Sequence, residues 1–73
     1  MATKLLPVGS RCWYRGAWGS GAPVRAIVVE ADTDIKNGQP GYCVDVVDEN
    51  DQPLADEWER SKWGYADQVS PRP

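Results

Sequence analysis

The sequence predicts a mainly β protein, five short strands with a short helical turn before the last, in a single small domain. Three observations carry this expectation. Glycine, proline and Asn-Gly punctuate the chain at Gly9, Gly16, Gly19, Gly21, Pro23, Asn37-Gly38, Pro40-Gly41 and Gly64, the positions at which turns are cheapest. Between them stand runs of β-branched and aromatic residues that alternate with polar ones, the two-residue period of a half-buried strand. A chain of 73 residues has room for one core only, burying roughly 60% of its unfolded surface and giving roughly 4–10 kcal/mol of stability.

Residues 1–7 form a short lead-in ending at Pro7. The domain is expected over residues 8–70, with 71–73 as a tail, because Ser70-Pro71-Arg72-Pro73 cannot continue a helix or a central strand. The first strand is Ser10 to Arg15, with Cys12 and Tyr14 on one face and Arg11, Trp13 and Arg15 on the other. A loop follows over residues 16–23, where three glycines and Pro23 surround Trp18. The second strand, Val24 to Ala31, is apolar on both faces and should be the centre of the core. Asp32 to Gly41 reads as a long hairpin connection with Asn37-Gly38 at its tip. The third strand, Tyr42 to Asp48, puts Tyr42, Val44 and Val46 on one face, and Glu49 to Gln52 forms a polar turn after it.

Residues 53–65 allow two readings. As a helix, Pro53 stands near the start, Asp56 and Glu57 in the first turns, Arg60 and Lys62 near the end and Gly64 just beyond, the order that capping and the helix dipole favour. The mixed reading is preferred. It makes Leu54 to Trp58 a strand paired back on the third, Arg60 to Trp63 a turn of helix, and Tyr65 to Ser70 the last strand, because a full helix leaves the third strand without its simplest partner.

Composition removes several kinds of chemistry. With no histidine, nucleophiles activated by an imidazole base are excluded. Two cysteines, Cys12 and Cys43, are too few for a disulfide scaffold or a zinc site. They read as small buried hydrophobes, with a bridge between neighbouring strands as the alternative in an oxidising compartment. No cofactor and no metal is implied. Asp48, Asn50, Gln52, Leu54, Asp56 and Glu59 match the ligand register of a calcium loop, but Pro53 stands where that loop needs a left-handed glycine. The glycine-rich first loop lacks the Lys-Ser or Lys-Thr of a phosphate loop. Asp56, Glu57 and Glu59 are read as solvent-facing charges, since so short a chain offers no cleft to separate their pKa values. No apolar run reaches membrane-span length, and the first eight residues lack a signal-peptide core. The expected location is cytoplasmic, or virion-associated if the gene is a phage's.

Two short motifs resemble a known family. Tyr42-Cys43-Val44-Asp45-Val46-Val47-Asp48 resembles the Tyr-x-Val-x-Phe-x-Asp run on the third strand of Tudor-like barrels, with Val46 in place of the aromatic. Ala22-Pro23-Val24-Arg25-Ala26-Ile27-Val28 is similar to the strand that follows their first loop. With five short strands and a glycine-rich first loop, the chain resembles an SH3-like barrel of the Tudor type over roughly residues 8–70. The resemblance implies an aromatic cage for a methylated lysine or arginine. Trp18 and Tyr42 occupy comparable places, and Asp45 or Asp48 supplies a carboxylate. A shared barrel does not carry its ligands with it.

The aromatic side chains are the most informative feature for function. Four tryptophans and three tyrosines stand in a chain without phenylalanine, so most of the rings read as core or interface filler. Trp18 is the exception, because its neighbours Gly16, Gly19, Ser20 and Gly21 offer little to bury it. The chain is therefore expected to be a non-enzymatic module for protein–protein interaction or assembly, using Trp18 with Trp13, Tyr42, Trp58 and Trp63 and binding a protein or peptide partner. A peptide adding to an open sheet edge is one mode. The alternative is a nucleic-acid-binding protein in which Arg11, Arg15, Arg25 and Lys62 contact phosphate. A formal charge of −3 disfavours that reading. A third is a small structural or accessory protein of a phage or mobile element, which would self-associate.

Overall fold

A computed structural model describes residues 5–16 and 22–72. Five strands are present among them: β1 (Arg11–Tyr14), β2 (Val24–Lys36), β3 (Gln39–Val46), β4 (Ser61–Tyr65) and β5 (Val69–Pro71). A one-turn helix, α1 (Glu57–Arg60), leads into β4, and a 3-10 turn (Ala66–Gln68) leads into β5. All ladders are antiparallel, in the order β4-β3-β2-β1-β5. The fold is mainly β, and the sheet is not closed: β4 and β5 are its two edges.

Strand alternation builds the core. Cys12, Tyr14, Ala26, Val28, Tyr42, Val44 and Val69 form one buried cluster. The ladder pairs Cys12 with Ala26 and Val28 with Val44, so these side chains face the same way. Burying each valine is worth about 1.5–3 kcal/mol. Arg11, Trp13, Arg25 and Ile27 alternate with them on the outer face. From the lead-in, Leu5 and Leu6 pack on the core, and the Leu6 N–H donates to Tyr42 Oη at 2.8 Å. At the other end of the chain, the Arg72 N–H donates to the Arg11 carbonyl at 3.1 Å.

The sheet curls. β2 is broken by register shifts between Val28 and Glu30 and between Asp32 and Lys36, and such bulges bend a strand. The Tyr14 hydroxyl donates to the Trp63 carbonyl at 2.8 Å. In a flat sheet β1 and β4 stand three spacings apart, ~14 Å, too far for one tyrosine side chain, so the curl itself brings them together. Gln68 completes the seam. Its carbonyl accepts from Arg15 N at 2.9 Å, its side-chain amide donates to the Arg15 carbonyl at 3.1 Å, and its Oε1 accepts from Tyr65 N at 2.8 Å. Close approach here requires Gly64, because a Cβ would stand 2.9 Å from the Tyr14 ring.

Four expectations are corrected. The segment from Asp32 to Gly41 is strand on both sides of a two-residue turn, with Lys36 paired to Gln39. Asn37 (φ 56°) and Gly38 (φ 74°) supply the left-handed pair that such a hairpin turn needs, while Asp34 Oδ1 accepts from Gly38 N at 2.8 Å. Leu54 to Trp58 is not a strand. Only a Val47–Pro53 bridge and a Leu54 N–H to Val46 carbonyl bond extend the β3 pairing; then Asp56 caps α1 through Oδ1 to Trp58 N at 2.9 Å. Trp63 accordingly lies in β4 rather than in a helical turn, and the turn before the last strand is Ala66–Gln68. The cysteines are free, and β2 separates Cys12 on β1 from Cys43 on β3, so they are not on neighbouring strands. No helix among the described residues is long and apolar enough to cross a membrane.

Candidate functional site

The exposed aromatics gather where β4 begins and ends. Asp56 Oδ1 holds the first turn of α1, and Ser61 returns to extended backbone, so the helix ends after a single turn. It carries Trp58 86% exposed. Asp56, Glu57 and Ser61 line a shallow cleft beside this indole. Arg60 and Lys62 direct their cations at backbone, Arg60 Nη1 donating to the Leu54 carbonyl at 3.0 Å and Lys62 Nζ to the Trp58 carbonyl at 2.9 Å. Asp56, Glu57 and Glu59 remain as the exposed charges around the ring.

Further along β4, Trp63 is 43% exposed. It meets Tyr65 edge-on, with ring centroids 5.3 Å apart, and Lys36 Nζ lies 5.0 Å from its centroid. The β2–β3 hairpin tip brings Lys36 here, and Asn37 Nδ2 donates to Tyr65 Oη at 3.4 Å. A second shallow cleft, lined by Asn37, Gln39, Pro40, Tyr65, Ala66 and Asp67, adjoins this pair. Cys43 is Trp63's ladder partner. Partial burial raises its thiol pKa, and the neighbouring carboxylates of Glu30 and Asp32 raise it further.

The outer face of β1 and β2 is cationic. Trp13, half-buried on the outer face of β1, has Arg25 and Arg72 guanidinium carbons each 5.6 Å from its ring centroid. The turn over residues 48–52 reaches back across this face. Asp48 Oδ1 accepts from Asn50 N and Gln52 N, and Asp51 sits at φ 59°. From there Asp51 binds Arg72 at 2.8 Å and Arg11 at 3.5 Å. Arg72 also donates from Nε to the Cys12 carbonyl at 3.3 Å, and its side chain is only 9% exposed. Burial raises the Cys12 thiol pKa, partly opposed by this guanidinium.

The expected site residues are thus divided. Trp58 and Trp63 stand at the surface by β4, and Trp13 is enclosed by arginines on the outer face of β1. Tyr42 is 3% exposed and belongs to the core. Asp45 alternates to the other face of β3, so Tyr42 and Asp45 do not meet in a cage. Trp18 lies outside the described residues. Arg11 is on β1, Arg15 directly after it and Arg25 on the neighbouring β2, whereas Lys62 is on β4. Sequence reasoning missed Lys36, Asp51 and Arg72, and counted Tyr65 among the aromatics without placing it in the binding set. Tyr65 was signalled by its two-residue spacing from Trp63, which places both on one face of a strand; the others meet through the hairpin tip and the chain's end, which no local spacing records.

Comparison with family models, with curated proteins and with solved structures finds no match for this chain.

Proposed function

We propose that the chain is a non-enzymatic protein-binding module, an SH3-like barrel of the Tudor type whose contact surface is built on exposed tryptophans. The carrying observation is Trp58, 86% exposed on a helix of four residues. A large ring held in water on a capped, short element costs solvation free energy that a partner's apolar surface recovers, and tryptophan is the residue most enriched at binding hot spots. Trp63, also exposed on β4, extends the surface, and Trp18 on the first loop belongs to the same proposal. The barrel part is supported by five strands with a turn of helix before the last and by the curl that joins Tyr14 to Trp63.

A peptide strand added at β4 is the weaker mode. The Tyr65 N–H goes to Gln68 rather than to β3, so by alternation residues 61, 63 and 65 turn their backbone groups to the free edge. There the Ser61 N–H is taken by the Glu57 carbonyl, and the Trp63 carbonyl by Tyr14. Side-chain docking is the favoured mode.

The second reading, nucleic-acid binding, rests on Arg11, Arg15 and Arg25 standing beside Trp13. One experiment tests both: the immobilised full chain, in wild-type, Trp58→Ala, Trp63→Ala and Trp18→Ala forms, is challenged with cell extract before and after nuclease treatment. Protein retained after nuclease treatment and lost from Trp58→Ala supports the module. Retention that vanishes with nuclease transfers the assignment to nucleic-acid binding by the arginine face. Equal retention by all four forms defeats the aromatic surface.

A further inference from the structure

The basic side chains of the molecule are unevenly placed. Four of its eight basic residues, Arg11, Arg15, Arg25 and Arg72, lie on β1, the residue after it, the start of β2 and the residue after β5, with Trp13 among them. Asp51 pairs with two of them, Arg11 and Arg72, which leaves Arg15 and Arg25 without an anion from it. Both are exposed. The α1 segment carries Trp58 with Asp56, Glu57 and Glu59, while the nearby Arg60 and Lys62 are turned onto backbone carbonyls. α1 leads into β4, three strands from β1 in the sheet. Trp58 is 86% exposed and so is not packed on the arginines of its own chain.

We infer that a second copy of this chain covers Trp58: the acidic, tryptophan-bearing α1 end of one molecule docks on the arginine face of β1–β2 of the next. The inference rests on the reading of the exposed tryptophans as protein contacts, and names the partner. Charge complementarity between two faces of one chain favours a like partner, and the face offered to the Trp58 ring already presents guanidinium groups, which indoles attract. The two faces differ, so the contact is head-to-tail. Each docked pair leaves one acidic and one basic face free, and assembly continues into a ring or an open filament.

Analytical ultracentrifugation of the full chain tests this, with wild type, Trp58→Ala, Arg25→Glu and an equimolar mixture of the two variants compared from micromolar to millimolar concentration. Wild type should show a mass that rises with concentration and falls with added salt. Each variant alone should associate about 30-fold more weakly or worse, the loss typical of a hot spot. The mixture should form a one-to-one pair and stop there, because Trp58→Ala keeps a sound arginine face and Arg25→Glu keeps a sound Trp58. If Arg25→Glu loses its fold by circular dichroism, Arg15→Glu replaces it. A wild type that stays monomeric throughout, a Trp58→Ala that associates as well as wild type, or a mixture that stays monomeric overturns the inference. A monomeric wild type that still holds a foreign protein through Trp58 overturns self-docking alone and leaves the protein-binding reading standing. A monomeric wild type whose Trp58→Ala form retains the same proteins overturns both.

Discussion

Single side chains hold the curl of this sheet. The Tyr14 hydroxyl is the direct bond between β1 and β4, so Tyr14→Phe should cost about 1 kcal/mol, the net worth of one hydrogen bond, read as a lower urea midpoint at unchanged slope. Gly64→Ala acts on the same seam from the other side. Its new methyl would press on the Tyr14 ring, and the expected loss is about 1–3 kcal/mol, as for other overpacked sites. Asp51→Ala should also destabilise by about 1–3 kcal/mol, because it leaves the largely covered Arg72 guanidinium without its anion. Trp58→Ala should change stability by less than about 0.5 kcal/mol, since the ring packs on little; denaturation of this variant beside Gly64→Ala separates surface from seam.

At the scale of elements, strand faces were legible and chain partners were not. The alternation of Cys12 and Tyr14 with Arg11 and Trp13 is local, and so is the left-handed pair Asn37-Gly38; both appear in the structure where the sequence predicts them. The fourth strand was placed too early because hairpin logic pairs Leu54 to Trp58 with β3. Pro53 offers no N–H to a ladder, and the Asp56 side chain offers its own acceptor to Trp58 N, so the backbone turns into α1 there. The acidic tip of β2 read as loop because aspartates favour turns. In the structure Asp32 and Asp34 satisfy backbone N–H groups from within an irregular strand. Of the candidate site, Trp58 and Trp63 were visible as residue types, but their exposure depends on the helix ending at Arg60 and on the hairpin tip carrying Lys36 to Trp63.

For the whole molecule, alkaline pH is the sensitive direction. Burial raises the pKa of Cys12, Cys43 and Tyr14 above their ordinary values. The unfolded chain therefore loses these protons first, and stability declines as pH rises from the unfolded values, about 8.5 for cysteine and about 10 for tyrosine, through the folded ones. Melting temperature should be flat with respect to these groups near neutrality and fall through that alkaline window; a Cys43→Ser, Tyr14→Phe double variant should fall less steeply from its own lower starting point. The order of strands also bears on how the chain comes into being. β2 and β3 are neighbours in sequence and can pair as soon as both exist. β1, although made before either, gains its second neighbour only when Val69–Pro71 has left the ribosome. Local pairing is fast and distant pairing slow, milliseconds to seconds in β folds dominated by distant contacts. A ribosome-bound chain halted before Val69 should thus hold the β2–β3 hairpin while β1 awaits its last partner, with the inner faces of Cys12 and Tyr14 open to chaperones or proteases for as long as translation takes.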